Sequence, residues 1–163
     1  MIQNAKYVME KIISPEGYAE EAQVGVDLTV KSISRISADY DNCAKIPKEG
    51  KTIHSQKHPI FPDKSGFYIL EAGSAYDVEF DQGLHPLSKT NTAFIIQRSS
   101  LNRNGCIVTG SVFDPGFGCK NLGATAYPHE TIEIEPHARI AQIVILDNNS
   151  TDLYDGQYKE TIV

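Results

Sequence analysis

The sequence predicts an all-β chain: a sandwich, jelly roll or small barrel with one short helix at its N-terminus. Three observations carry this. Several runs alternate apolar and polar residues with a period of two, as half-buried strands do. Three further runs, "FYILE", "TAFIIQ" and "IAQIVIL", are apolar enough for strands buried on both faces. Turn residues separate these runs at short intervals, the pattern of many short strands folded back on one another.

Residues 4 to 13 put Val8, Met9, Ile12 and Ile13 on one side of a short helix that Pro15 and Gly17 end. The period then changes. "VDLTV" alternates Val26, Leu28 and Val30, and "YDVEF" alternates Tyr76, Val78 and Phe80. "TIEIE" sets Ile132 and Ile134 against acidic residues. Turns are expected at 71–74, 81–83, 102–105, 114–116 and 147–150, each rich in Gly, Asn, Asp or Ser. Residues 37–66 are polar, dotted with proline and poorly periodic, and read as a long excursion, an arm or lid. No repeat, low-complexity tract or linker divides the chain, so 1–163 is expected to be one domain, with 148–163 as a C-terminal tail.

Charge and composition narrow the function. The 163 residues are 40% hydrophobic and 22% charged, an ordinary soluble balance. A net charge of −6 argues against general binding to nucleic acid or to an anionic membrane, but not against a small polyanion. The N-terminus carries Lys6, Glu10 and Lys11 and lacks an apolar signal region, and no apolar run is long enough for a membrane span. Cys43, Cys106 and Cys119 form an odd, sparse set without C-x-x-C spacing, which suggests reduced thiols and a cytoplasmic location.

The chain has four arginines, and two of them flank paired serines in "QRSSLNRNG", residues 97–105. The guanidinium fork of Arg98 matches phosphate oxygens, and the hydroxyls of Ser99 and Ser100 could complete such a cradle. A hairpin between two strands explains the stretch as well. "FDPGFG", 113–118, sets Asp114 before Pro115 and Gly116, as a type II turn requires. A carboxylate on so rigid a turn could also hold a water beside a phosphorus atom. "ARIAQI" puts Arg139 and Gln142 on an apolar strand start, where edge residues facing water would do the same. "GVDLTV" puts Asp27 in a strand otherwise built for burial, where backbone donors could satisfy it. His54 and His58 are spaced i, i+4, but Pro59 argues for a loop rather than a zinc-binding helix.

Together, "GVDLT", "QRSSLNRNG", "SVFDPGFGC" and "HARIAQIVI" resemble, in order, the four motifs of the homotrimeric dUTPase and dCTP deaminase superfamily. "LYDGQYKE" resembles the tyrosine-bearing tail of its archaeal-type dUTPases and deaminases, and the short spacing from Arg98 to Asp114 resembles the archaeal-type dUTPase branch. The resemblance spans roughly residues 20–160. It implies a distorted β-barrel or jelly-roll subunit (the β-clip of these enzymes) and a homotrimer with active sites at subunit interfaces. The implied reaction converts dUTP to dUMP and pyrophosphate with Mg²⁺.

The resemblance also implies roles. Asp114 would activate the water. Phe117 would pack under the deoxyribose, and backbone groups at Ser111 and Val112 would read the pyrimidine edge. Ser99 and Ser100 would contact the phosphates, with Arg98 beside them and Gln142 near them, and Arg139 would act on a neighbouring subunit's nucleotide. Asp27 would lie near the metal's water shell or brace the site. Tyr154 and Tyr158 would close over a neighbouring subunit's nucleotide. A dCTP deaminase on the same scaffold and a nucleotide-binding trimer without turnover are the alternatives. The deaminases' proton-shuttling glutamate would fall at Gly123 or Ala124, neither of which carries a proton.

Overall fold

A computed structural model describes residues 1–37 and 39–156. Thirteen strands are present among them: β1 (Ile12–Ile13), β2 (Glu20–Glu21), β3 (Val26–Ile36), β4 (Lys57–Ile60), β5 (Tyr68–Leu70), β6 (Tyr76–Phe80), β7 (Gly83–Leu84), β8 (Asn91–Gln97), β9 (Cys106–Thr109), β10 (Val112–Phe113), β11 (Gly123–Pro128), β12 (Ile132–Ile134) and β13 (Arg139–Asp147). The helices are α1 (Ala5–Met9) and α2 (Ser99–Arg103). The all-β expectation holds.

Helix α1 begins where Asn4 accepts a hydrogen bond from the Tyr7 amide at 3.0 Å, a side-chain N-cap. It is shorter than the periodicity suggested. Ile12 and Ile13 leave it to pair with Gly83 and Leu84, the extended geometry that β-branched residues favour.

The main sheet runs β10-β8-β13-β3-β6-β11-β9, and β3 also pairs with β2 and β4. The eleven residues of β3 serve two neighbourhoods. Its first half pairs with β13, from Ile143↔Val26 to Arg139↔Thr29. Its second half pairs with β6 and β4. Leu28, Val30, Tyr76, Phe80, Ile143 and Ile145 are fully or almost fully buried between the two halves. The sheet curls until its last strand, β9, returns to β8, where the Val108 amide donates to Gln97 Oε1 at 2.7 Å. Gly110 lies at this seam, and a Cβ there would sit 2.4 Å from Ile95 Cβ, so only glycine lets the chain cross β8 so closely.

The 37–66 stretch is less of an arm than its composition suggested. It makes a 3₁₀ turn at Tyr40–Asn42, a bridge between Lys45 and Ile53, and then β4 on the far half of β3. Its residues are nearly all exposed, which is why no hydrophobic period marks them. None of Cys43, Cys106 and Cys119 forms a disulfide, and burial pushes the Cys106 thiol up from its usual range. No helix among the described residues is long and apolar enough to cross a membrane.

Candidate functional site

Two clusters hold the chemically suggestive residues. The first is built on β3 and β13, where Asp27 stands directly opposite Gln142. Gln142 Nε2 donates to Asp27 Oδ1 at 2.9 Å. The Arg98 and Arg139 guanidiniums approach Asp27 Oδ2 to 3.3 and 3.6 Å, and Arg139 also pairs with Glu20 on β2. The Asp27 side chain is 6% exposed, against 33% for Arg98 and 42% for Arg139. The buried carboxylate therefore anchors two partly exposed cations side by side, a geometry suited to an anion. Asp27 is satisfied by side chains rather than by the backbone donors first considered for it. Arg139 and Gln142 do not sit on an edge either, because β13 has β8 on one side and β3 on the other.

Ser99 and Ser100 follow Arg98 as the exposed first residues of α2. A plain hairpin was one of the two readings of this stretch. A single helical turn forms instead and buries Leu101, and Gly105 ends it with φ of 73°.

The second cluster lines a cavity of about 680 Å³, within the usual range for small-ligand pockets. Ser111, Val112, Asp114, Phe117 and Tyr154 all contribute to its wall. The type II turn expected at 114–117 is present: the Phe117 amide donates to the Asp114 carbonyl at 3.0 Å, and Gly116 has φ of 84°. This fixes Asp114 at an exposed corner. The Phe113 and Phe117 rings stack with centroids 5.0 Å apart, and Tyr154 meets Phe117 edge-on at 5.4 Å. The Tyr154 amide donates to the Pro115 carbonyl at 2.6 Å. Tyr154 thus lies against the Asp114 turn of its own chain. Tyr158 falls outside the described residues.

Sequence reasoning missed four residues of this wall: His54, Lys57, Asp77 and Asn121. Lys57 and Asp77 form an ion pair at 2.9 Å that spans β3, through the registers Ile36↔Lys57 and Ser34↔Asp77. Asp77 occupies a polar position of an alternating strand, and only the register reveals what it faces. Gly123 is also on the wall.

The two clusters lie toward opposite ends of β8. Phe113 pairs with Ala93, and Arg98 comes five residues further along, about 17 Å at strand spacing. Among the described residues no three His, Cys, Asp or Glu side chains converge as metal ligands. Asp27, already held by three donors, suits a contact through water better than direct coordination.

The model of a family described as dCTP deaminase-like matches residues 3–148. A Halobacterium salinarum protein named "Probable deoxyuridine 5'-triphosphate nucleotidohydrolase" is 29% identical over 139 residues, 83% of this chain and 80% of that protein. Two solved structures share the fold. The 2'-deoxycytidine 5'-triphosphate deaminase of Agrobacterium tumefaciens superposes with a TM-score of 0.66 at 16% identity, over 88% of this chain and 46% of that one. The Staphylococcus bacteriophage 80alpha dUTPase, as a D81A mutant with dUpNHpp, gives 0.55 at 12% identity over 92% and 97%.

Proposed function

The chain belongs to the dCTP deaminase-like family, and from that premise we propose that it is a dUTP diphosphatase, converting dUTP to dUMP and pyrophosphate. The observation that carries this reading is the cavity holding Asp114 and Phe117, whose wall includes Gly123, one of the two positions where the deaminases' glutamate would fall. The naming of the Halobacterium salinarum relative agrees with it.

The chemistry follows from the residues. Hydrolysis of a triphosphate is slow because the attacking water must approach a shielded, negatively charged phosphorus, so positioning and cations supply most of the catalysis. Asp114, on its rigid turn, takes a proton from the water as the water's oxygen bonds to the α-phosphorus. The α–β bridging bond then breaks and pyrophosphate leaves. Arg98, Arg139, Gln142, Ser99 and Ser100 hold the phosphate oxygens, and Asp27 keeps the two arginines aimed. Mg²⁺ bound with the nucleotide would neutralise charge over the phosphates, and Asp27 would be the residue to hold it through water. Phe117 carries the sugar, and the backbone at Ser111 and Val112 reads the pyrimidine. Tyr154, and Tyr158 beyond it, cover the site.

In this reading the phosphate cradle of one subunit serves the Asp114 cavity of another, in a homotrimer. The separation along β8 supports this, since one chain's Asp114 and Arg98 are too far apart to share an α-phosphate. The test is to incubate the pure protein with dUTP and Mg²⁺ and separate the products by chromatography. Pyrophosphate and dUMP are expected. Unchanged dUTP would leave a nucleotide-binding trimer without turnover.

Phe117→Ala should weaken discrimination against UTP, because the ring leaves no room for a 2′-hydroxyl beneath the sugar. The measurement is the ratio of kcat/KM for dUTP and UTP. An unchanged ratio would remove Phe117 from that role.

A second reading, dCTP deamination, has one observation in its favour: Asp77 puts a carboxylate in the cavity wall. That carboxylate already accepts from Lys57 at 2.9 Å, which argues against it as a free proton shuttle. Incubation with dCTP should therefore release no ammonia. Ammonia at a rate comparable to dUTP hydrolysis would make the enzyme bifunctional.

A further inference from the structure

Beside the phosphate cradle lies a polar network that none of the proposed catalytic steps uses. Asp81 is 8% exposed, and its Oδ2 accepts from the Thr29 hydroxyl at 2.6 Å. The same oxygen lies 2.8 Å from His137 Nδ1, so the ring nitrogen facing the carboxylate is the one that carries the proton. Gln82, fully buried, accepts from the Thr29 amide at 2.8 Å and donates to the Thr29 hydroxyl at 2.9 Å and to the Tyr18 carbonyl at 3.2 Å. The Tyr18 ring in turn lies against the His137 imidazole, with centroids 4.5 Å apart.

This network surrounds the start of β13. His137 is the one non-glycine residue with positive φ among the described residues, at 62°, a conformation that usually costs a non-glycine residue free energy. Its amide donates to the Val30 carbonyl at 2.8 Å, and the Val30 amide donates to the Ala138 carbonyl at 3.1 Å. Arg139 comes next and pairs with Thr29, and the register then shifts before Ala141. Two parallel contacts thus reach back to the same N-terminal stretch: Tyr18 to His137, and Glu20 to Arg139. The backbone that aims Arg139 is pinned on one side by Thr29 and on the other by His137, and both bond to the same Asp81 oxygen.

We infer that His137 and Asp81 are positioning residues that set the approach of Arg139 to the substrate's phosphates. The inference rests on the reading of Arg139 as a phosphate contact. A left-handed histidine at this turn is then explained, since the backbone conformation it holds is the one that presents its imidazole to Asp81 and Arg139 to the cradle.

The test compares kcat and KM for dUTP in the wild type, His137→Gly, Arg139→Ala and the double variant, with thermal midpoints as a check on folding. Glycine accepts the same φ, so His137→Gly removes the imidazole without straining the turn. It should lower kcat/KM between about tenfold and a hundredfold, the cost of a misplaced contact. The double variant should fall no further than Arg139→Ala alone, because the histidine acts through the arginine. His137→Asn, which tolerates the left-handed region and still offers a donor to Asp81, should recover most of the loss. The inference is overturned if His137→Gly hydrolyses dUTP within twofold of the wild type, or if its loss multiplies with that of Arg139→Ala. Should His137→Gly fail to fold, Asp81→Asn carries the same comparison with Arg139→Ala. A wild type that does not turn over dUTP overturns the dUTPase reading itself, and the inference with it.

Discussion

Asp114→Asn is expected to lower kcat for dUTP by at least about a hundredfold, the usual contribution of a general base, while leaving nucleotide affinity within a few-fold of the wild type. The amide keeps the shape of the carboxylate, and the turn that carries it is closed by backbone atoms alone: the Phe117 amide on the Asp114 carbonyl, with Gly116 at φ of 84°. The cavity wall should therefore survive the change. What is lost is the ability to accept a proton from water. Single-turnover hydrolysis alongside calorimetric binding of a non-hydrolysable dUTP analogue separates the two effects. A variant within about threefold of the wild type would move the base elsewhere, and a variant that no longer binds would give Asp114 a binding role instead.

The second large effect is a recovery. Arg139→Ala and Asp114→Asn proteins should each be nearly inactive alone. Unfolded together and reassembled in equal amounts, they should regain about a quarter of wild-type activity. That is the fraction of sites drawing an intact Arg139 from one subunit and an intact Asp114 from another in a randomly mixed ring. Sites confined to one chain would show no recovery at any mixing ratio. Light scattering on the same samples should report a trimer, and a monomer at micromolar concentration would sink the shared site.

Much of this was legible in the sequence, for physical reasons. Strands announced themselves where one face is buried, and Tyr76, Val78 and Phe80 alternate with half-exposed neighbours along β6 as "YDVEF" suggested. The turn at Asp114 was readable because Pro and Gly permit little else there. The helical turn at 99–103 was not legible, because a five-residue helix is too short to display a period. Its one apolar residue, Leu101, is buried. The excursion hid β4 because an exposed edge strand needs no apolar face. The cavity wall of Lys57 and Asp77 was not legible at all, since it depends on which residues three separate strands bring side by side. The anchoring of Asp27 lay between these cases. Its place in an apolar run marked it, but its partners on β13 and after β8 required the register.

The span between the two clusters has a consequence for how such a catalyst behaves on dilution. Strand β8 is held by β10 on one side and β13 on the other. All seven of its residues pair with β13, which holds Ala93, the partner of Phe113, apart from Arg98. With the site divided as proposed, catalytic competence is a property of concentration, vanishing as subunits separate. A nucleotide gripped from both sides would act as mortar between them, so that substrate itself shifts the balance toward the assembled, working form.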